Sequence, residues 1–373
     1  MRIPIYIILA VCLVVFAPFY SNALDWPIKD ANMKHHIGNS HGEFQFYGGL
    51  PYFHPGIDIL APAGTPVCAV KSGYVKAILT TSAELHWRVV IGDFGGEEEC
   101  DGWLYAHLDE SSITVEEGQR VEAGTIIGKL VEWPVAGFHH LHFAKVRHSG
   151  EVWDSNWQFI GNPLDELDPL HDSIAPVFEN AIGEQLLAFS VNESEYYFNE
   201  GEALSGNVDI IARVYDYIND DNWKVAPYQI DYKIEGKASL PWMNVVNFTG
   251  KIEFDKNVEV IYKRDQLCPT RGNYDDRQFF HVITNTDGDN EIEESDAGFS
   301  WETDKFPDGQ YTIYVRATDK AGNVTVASMD ATVSNNYAGR NKARLEKPDT
   351  DILFSLDEFN AGPGAAASGK QGN

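Results

Sequence analysis

The chain has 373 residues, 43% of them hydrophobic, which suits a folded protein of two domains and a tail. Its 56 acidic residues against 28 basic ones give a formal charge of −28, which argues against nucleic acid as a partner, since phosphate binding needs basic clusters. The acidity serves solubility and identifies no substrate.

The N-terminus reads as an export signal. Arg2 supplies the positive charge, Ile3 to Phe19 is almost entirely apolar, and Ser21-Asn22-Ala23 has the small-x-small form of a cleavage site. The apolar run is short for a membrane span and Pro18 interrupts its end, so no stable membrane insertion is expected after cleavage at Ala23. Cys12 leaves with the signal, and Cys68, Cys100 and Cys268 remain. Export permits disulfides. Cys68 and Cys100 are close enough in sequence to share one domain and are expected to pair. No Cys-x-x-Cys spacing suggests a thiolate metal site.

Three short segments then supply imidazoles and a carboxylate. In Phe53-His54-Pro55-Gly56-Ile57-Asp58-Ile59, Pro55 and Gly56 argue against a helix, so His54 and Asp58 sit on a tight turn entering an apolar strand. Leu104-Tyr105-Ala106-His107-Leu108 is a strand carrying one histidine. In His139-His140-Leu141-His142-Phe143, strand alternation turns His140 and His142 to one face and Leu141 and Phe143 to the core. His139 then points away from His140. His35, His36 and His41, in a turn-rich stretch, read as exposed loop residues. From Thr65 to Val131 short β signals recur, with turns at Ser72-Gly73 and Gly95-Gly96 and no sustained helical period.

The ordered set His-x-x-x-Asp, Tyr-Ala-His-Leu and His-Leu-His-Phe resembles the lysostaphin/LytM-type zinc metallopeptidases, from about Ile37 to about Leu167. Gly64-Thr65-Pro66-Val67, Ser72-Gly73-Tyr74-Val75, Gly124-Thr125-Ile126-Ile127-Gly128 and Asn162-Pro163-Leu164 belong to the same resemblance. It implies a duplicated-hybrid-motif β fold and hydrolysis of peptide cross-links in bacterial peptidoglycan. It also implies one Zn²⁺ held by His54, Asp58 and His142, leaving a fourth position for water. His107 and His140 match the family's two histidines that assist without binding metal. The sequence departs from the pattern at Phe138-His139, where Gly-Pro is usual, at Ala144, where Glu is common, and at Leu85-His86-Trp87, where Tyr-Gly-Asn is common. Those changes bear on substrate preference more than on hydrolysis. A biotinyl-carrier reading of Val115 to Leu130 fails for want of a lysine at a hairpin tip, and no His-Glu-x-x-His helix occurs.

The second half alternates as strands do. Val208, Ile210, Ala212 and Val214 share one face, as do Tyr228, Ile230, Tyr232 and Ile234, and Tyr311 to Ala317 forms a hairpin with Val324 to Ala327. The start Asp308-Gly309-Gln310-Tyr311 and the turn Asp319…Gly322-Asn323 resemble bacterial immunoglobulin-like domains, which implies a β-sandwich for binding or spacing. Asp287 to Glu294 reads as a solvated acidic loop, because Ile292 stands where a calcium loop of the EF-hand kind needs Gly.

The fold class expected is therefore all-β. Its parts are a signal over 1–23, a lysostaphin-type domain over 24–170, an immunoglobulin-like sandwich over 171–335, of which about 175 to 335 is expected to fold alone without hydrolytic activity, and a flexible tail over 336–373. The expected activity is an exported zinc endopeptidase of the periplasm, cell envelope or cell exterior, acting on peptidoglycan peptides. A cell-wall or protein ligand is expected for the C-terminal domain. The competing reading is a non-catalytic wall-binding or amidase-activating module on the same fold.

Overall fold

A computed structural model describes residues 23–335, apart from 31–32, 48, 82–83, 220–221, 254–255, 273 and 275. The signal and the tail therefore lie outside the described residues. The described chain is almost wholly β, with one α-helix, Val258–Ile261.

The first half is built on an eight-stranded antiparallel sheet. Across it run His36–Asn39, Ile57–Leu60, His140–His148, Cys100–Leu108, Trp87–Gly92, Gly73–Thr80 and Arg120–Val121, with Gln158–Gly161 also paired to His140–His148. Strand alternation gives this sheet two apolar faces. One packs Ile37, Ile57, Ile59, Trp103, Tyr105, Leu141 and Phe143. The other packs Leu104, Ala106, Ala144 and Val146 against Trp153 and Trp157. Asp58, His140 and His142 alternate with members of the first set, so they belong to the second face, at the end not covered by those tryptophans.

In the second half, Asn207–Tyr215 pairs with Leu187–Val191, Val177–Glu179, Phe280–Val282 and Trp301–Glu302. A second sheet runs Leu240–Asn247, Gln229–Gly236, Gly309–Thr318, Val324–Val333. One core joins them: Val208, Ile210, Ala212 and Val214 from the first sheet with Ile230, Ile234, Ile313 and Val315 from the second.

The two cores exchange segments. Phe44 and Phe53, N-terminal in sequence, are buried in the second core. Ile218 and Val225, from the second half, are buried in the first. Polar links follow the same route: the Ile37 amide donates to Ile218 O at 3.2 Å, Asn162 Nδ2 to Phe248 O at 2.9 Å, and Tyr262 OH to Gly42 O at 2.9 Å.

Two expectations change. Cys68, Cys100 and Cys268 are all buried free thiols. Cys100 opens a strand of the main sheet and packs with Trp153, whereas Cys68 lies in the separate two-stranded pair Pro66–Cys68 with Ile126–Lys129, so the two do not bond. His35 and His41 are not exposed, at 7% and 2% relative accessibility; only His36 is. His35 stacks on Trp26 and His41 shares a hydrogen bond with Gly250 O, both contacts invisible to local sequence.

Candidate metal centre

Register assembles the centre. Asn39 pairs with Asp58, Asp58 with His142, and His142 with Ala106, so four adjacent strands place these residues in one row. His54 enters from the turn that Pro55 and Gly56 make before Ile57. Its amide donates to Glu43 O at 2.8 Å and its carbonyl accepts from the Gly42 amide at 2.9 Å, which fixes the turn. Gly56 is needed there because a Cβ would come within 2.5 Å of Phe143 O.

Three donor atoms meet. His54 Nε2 is 3.0 Å from His142 Nδ1 and 3.3 Å from Asp58 Oδ1, and His142 Nδ1 is 2.9 Å from Asp58 Oδ1. Zinc bonds of about 2.0–2.1 Å put tetrahedral ligand atoms about 3.3 Å apart, so this donor set fits zinc. The outer contacts fit as well. A carbonyl can only accept, so the 3.1 Å contact of His54 Nδ1 with Ser40 O puts the proton on Nδ1 and frees Nε2 as a ligand. Asn39 Nδ2 donates to Asp58 Oδ2 at 2.6 Å and leaves Oδ1 for the centre.

Electrostatics agree with an electron-rich donor set. Burial opposes the charge of Asp58, but the neighbouring imidazoles of His54, His140 and His142 outweigh it and hold the carboxyl well below its ordinary range. Burial would lower His54 too, yet Asp58 raises it overall. Burial takes His142 down to about 4, against the pull of Asp58.

His107 and His140 flank the donors. Opposite His107 the register slips: Trp87 pairs with Leu108 and Arg88 with Ala106. His107 is the extra residue of a β-bulge, with φ 68°, a left-handed conformation uncommon for residues other than Gly. The bulge brings its ring centroid within 4.6 Å of His140 and 6.1 Å of His142. Its Nδ1–H donates to Leu85 O at 2.8 Å, and that of His140 to Phe138 O at 2.8 Å, so each ring keeps a basic Nε2. Burial lowers both, His107 the further because His140 and His142 add to the effect. Both rings are therefore neutral bases at pH 7. His140 Nε2 is 3.7 Å from Asp58 Oδ2. His139 faces elsewhere and accepts the Trp133 amide at 2.9 Å.

Peptidase family M23 matches residues 52–155. Those residues form an M23 domain. No curated protein matches the chain. Among solved structures, the catalytic domain of lysostaphin from Staphylococcus simulans is 25% identical, with 32% of this chain and 88% of that one covered at a TM-score of 0.23. The catalytic domain of the prophage-encoded M23 protein EnpA from Enterococcus faecalis is 28% identical, covering 28% and 79% at 0.22. A zinc-containing peptidase from Vibrio cholerae is 23% identical at 0.26, covering 35% of this chain but only 40% of that one.

Several residues beside His54, Asp58 and His142 were not singled out by sequence. Asn39 bonds Asp58, and Trp133 packs its ring 4.5 Å from His107 and 4.8 Å from His140. His86 lies 5.3 Å from His107. Tyr274, from the second half, accepts the Trp133 indole N–H at 3.2 Å and packs on Phe138. The substitution of Tyr-Gly-Asn by Leu85-His86-Trp87 was the one local signal, for His86. Tyr274 gave none, being far along the chain.

Proposed function

We propose that the chain is an exported zinc-dependent endopeptidase that hydrolyses peptide cross-links of bacterial peptidoglycan. The observation that carries this reading is the meeting of His54 Nε2, Asp58 Oδ1 and His142 Nδ1 within 3.3 Å of one another, with His107 and His140 beside them. His54, Asp58 and His142 would hold the zinc, which supplies Lewis acidity toward water and the scissile carbonyl.

His107 and His140 do the proton work in this reading. Each is neutral, with Nδ1 tied to a carbonyl and Nε2 basic. One accepts a proton from the water attacking the peptide carbonyl, and that proton goes to the departing amine as the C–N bond breaks. The other steadies the oxygen on which negative charge develops once its Nε2 carries a proton, because its Nδ1–H is already committed to a carbonyl. The M23 domain would extend to about residue 170, and the second half would be an immunoglobulin-like sandwich for wall binding or spacing.

The experiment is digestion of purified murein by the full chain, with and without a chelator, followed by zinc readdition. Release of peptide fragments that stops on chelation and returns with zinc is expected. Binding to murein without any release would instead support a wall-binding module.

A further inference from the structure

We propose that Asp172, Asp216 and Asp319 form a calcium site at the junction between the M23 domain and the second half. Asp172 lies in the segment joining the halves. Asp216 directly follows the strand Asn207–Tyr215, and Asp319 directly follows Gly309–Thr318. One carboxylate oxygen from each lies within 4.8 Å of the others. Calcium binds oxygens at about 2.3–2.6 Å, so its shell is about 5 Å across and spans such a cluster.

The second observation is Asp216 itself. It is 1% accessible, and among the described residues neither Oδ1 nor Oδ2 has a hydrogen-bond partner. Its backbone is fixed by reciprocal bonds with Val225 at 2.8 and 2.9 Å, which sets where the side chain starts. Burial raises its carboxyl well above the ordinary range, and the charges of Asp319 and Asp172 raise it further; the Tyr217 amide offsets this but falls short of a hydrogen bond. Asp172 is raised as well, chiefly by burial.

The other two carboxylates are held in place. Asp319 accepts the Asn323 amide at 2.8 Å and Asn323 Nδ2 at 2.7 Å, and Asp172 accepts the Ile174 amide at 3.2 Å. Three clustered carboxylates, two of them buried and one half-buried, need either protons or a cation. All-oxygen donors select a hard cation over zinc. Asn219, whose amide is 3.4 Å from Asp172 Oδ1, carries a further buried oxygen without a partner, useful to an ion that takes six to eight. Asn219 Nδ2 also donates to His35 O at 2.9 Å, so the ion would brace the junction against the first half.

The test uses the full chain, stripped of metals and reloaded with one equivalent of zinc, then dialysed against calcium chloride. One calcium bound per chain is expected, with a rise in melting midpoint and no loss of zinc. Asp216→Asn should bind calcium about tenfold more weakly or worse, since even outer contacts are worth that much to a metal site. In calcium-free buffer it should melt at or above the wild type, because like-charge repulsion is relieved. Asp172→Asn, at the half-buried ligand, should weaken calcium binding in the same direction. No calcium bound by the wild type at about 10 mM, above the weakest range usual for such sites, overturns the proposal. So does wild-type calcium affinity in both variants.

Discussion

Gly56→Ala should damage the metal centre without touching a donor atom. Gly56 is not in the left-handed region, so alanine is acceptable to its backbone. Its Cβ, however, would stand 2.5 Å from Phe143 O, 2.9 Å from Ala144 Cβ and 3.2 Å from His142 Cε1. Phe143 O is backbone in the middle of the sheet, so relief requires the strand His140–His148 to move away by about 0.5 Å merely to reach the closest tolerable contact of 3.0 Å. That movement carries His142 from His54 and Asp58, now 3.0 and 2.9 Å away. Sites of this kind tolerate about 0.5 Å, and a 1 Å misplacement costs about 10²-fold in rate. Overpacking adds about 1–3 kcal/mol of destabilisation. Gly96→Ala is the control, because its Cβ meets nothing within 4 Å. Zinc content after dialysis and the melting midpoint should both fall in Gly56→Ala and stay at wild-type values in Gly96→Ala. Unchanged zinc retention and melting in Gly56→Ala would refute the inference that this close approach holds the donors together.

His142→Ala should lose zinc and hydrolysis together, whereas His107→Ala and His140→Ala should keep zinc and lose about 10²–10⁴ in rate. Zinc stoichiometry and turnover on the same preparations decide: undiminished zinc in His142→Ala removes it from the donors, and near-normal turnover in either other variant removes that histidine from the chemistry. Asp209, buried, has its carboxyl raised from 3.8 to about 6, above the unfolded value, so its favourable contribution is complete below about pH 4 and is lost as pH rises through about 6. Asp209→Asn should therefore be more stable than wild type at pH 7.5 by up to about 3 kcal/mol and about equal at pH 4, read by denaturant unfolding; a pH-independent difference would sink this assignment. A fragment of residues 175–335 should be less stable than the full chain, because it lacks Phe44 and Phe53; equal melting midpoints would count against it.

What was legible in the sequence is what short-range rules control. Pro55-Gly56 placed His54 and Asp58 on a turn entering a strand, and the period of two put His140 and His142 on one face. The long hairpin Gly309–Thr318 with Val324–Val333 was visible for the same reason, its expected ends falling inside the observed ones. The conformation of His107 was not visible, because a bulge is a mismatch between strands and leaves no mark in either alone. Burial of His35 and His41 depends on Trp26 packing and on Gly250, and the free state of Cys68 and Cys100 depends on which sheet each joins. Asn39 sat in a stretch read only as a turn, although its strand position opposite Asp58 is what lets its amide reach the carboxylate.

The exchange of segments between cores gives the second half a direct bearing on the metal centre. Phe53 is buried among second-half side chains, and the next residue is His54. Glu43, whose carbonyl holds the His54 amide, has its carboxylate 3.5 Å from Arg277, also buried and also from the second half. Arg277 further donates to Gly38 O, next to Asn39, and to Lys224 O at 2.9 Å. Two neighbours of the donors, the His54 turn and the Asn39 strand, are thus anchored by one guanidinium that the M23 domain does not encode. Burial raises the Glu43 carboxyl to about 7 despite Arg277, so the full cost of losing one partner of a buried charge pair, about 3–5 kcal/mol, applies only above neutral pH, where Glu43 is ionised. Tyr274 meets Trp133 from the same side and completes the aromatic wall over His107 and His140. The second half is therefore part of the scaffold that holds the His54 and Asp58 donors, as well as a neighbour along the chain.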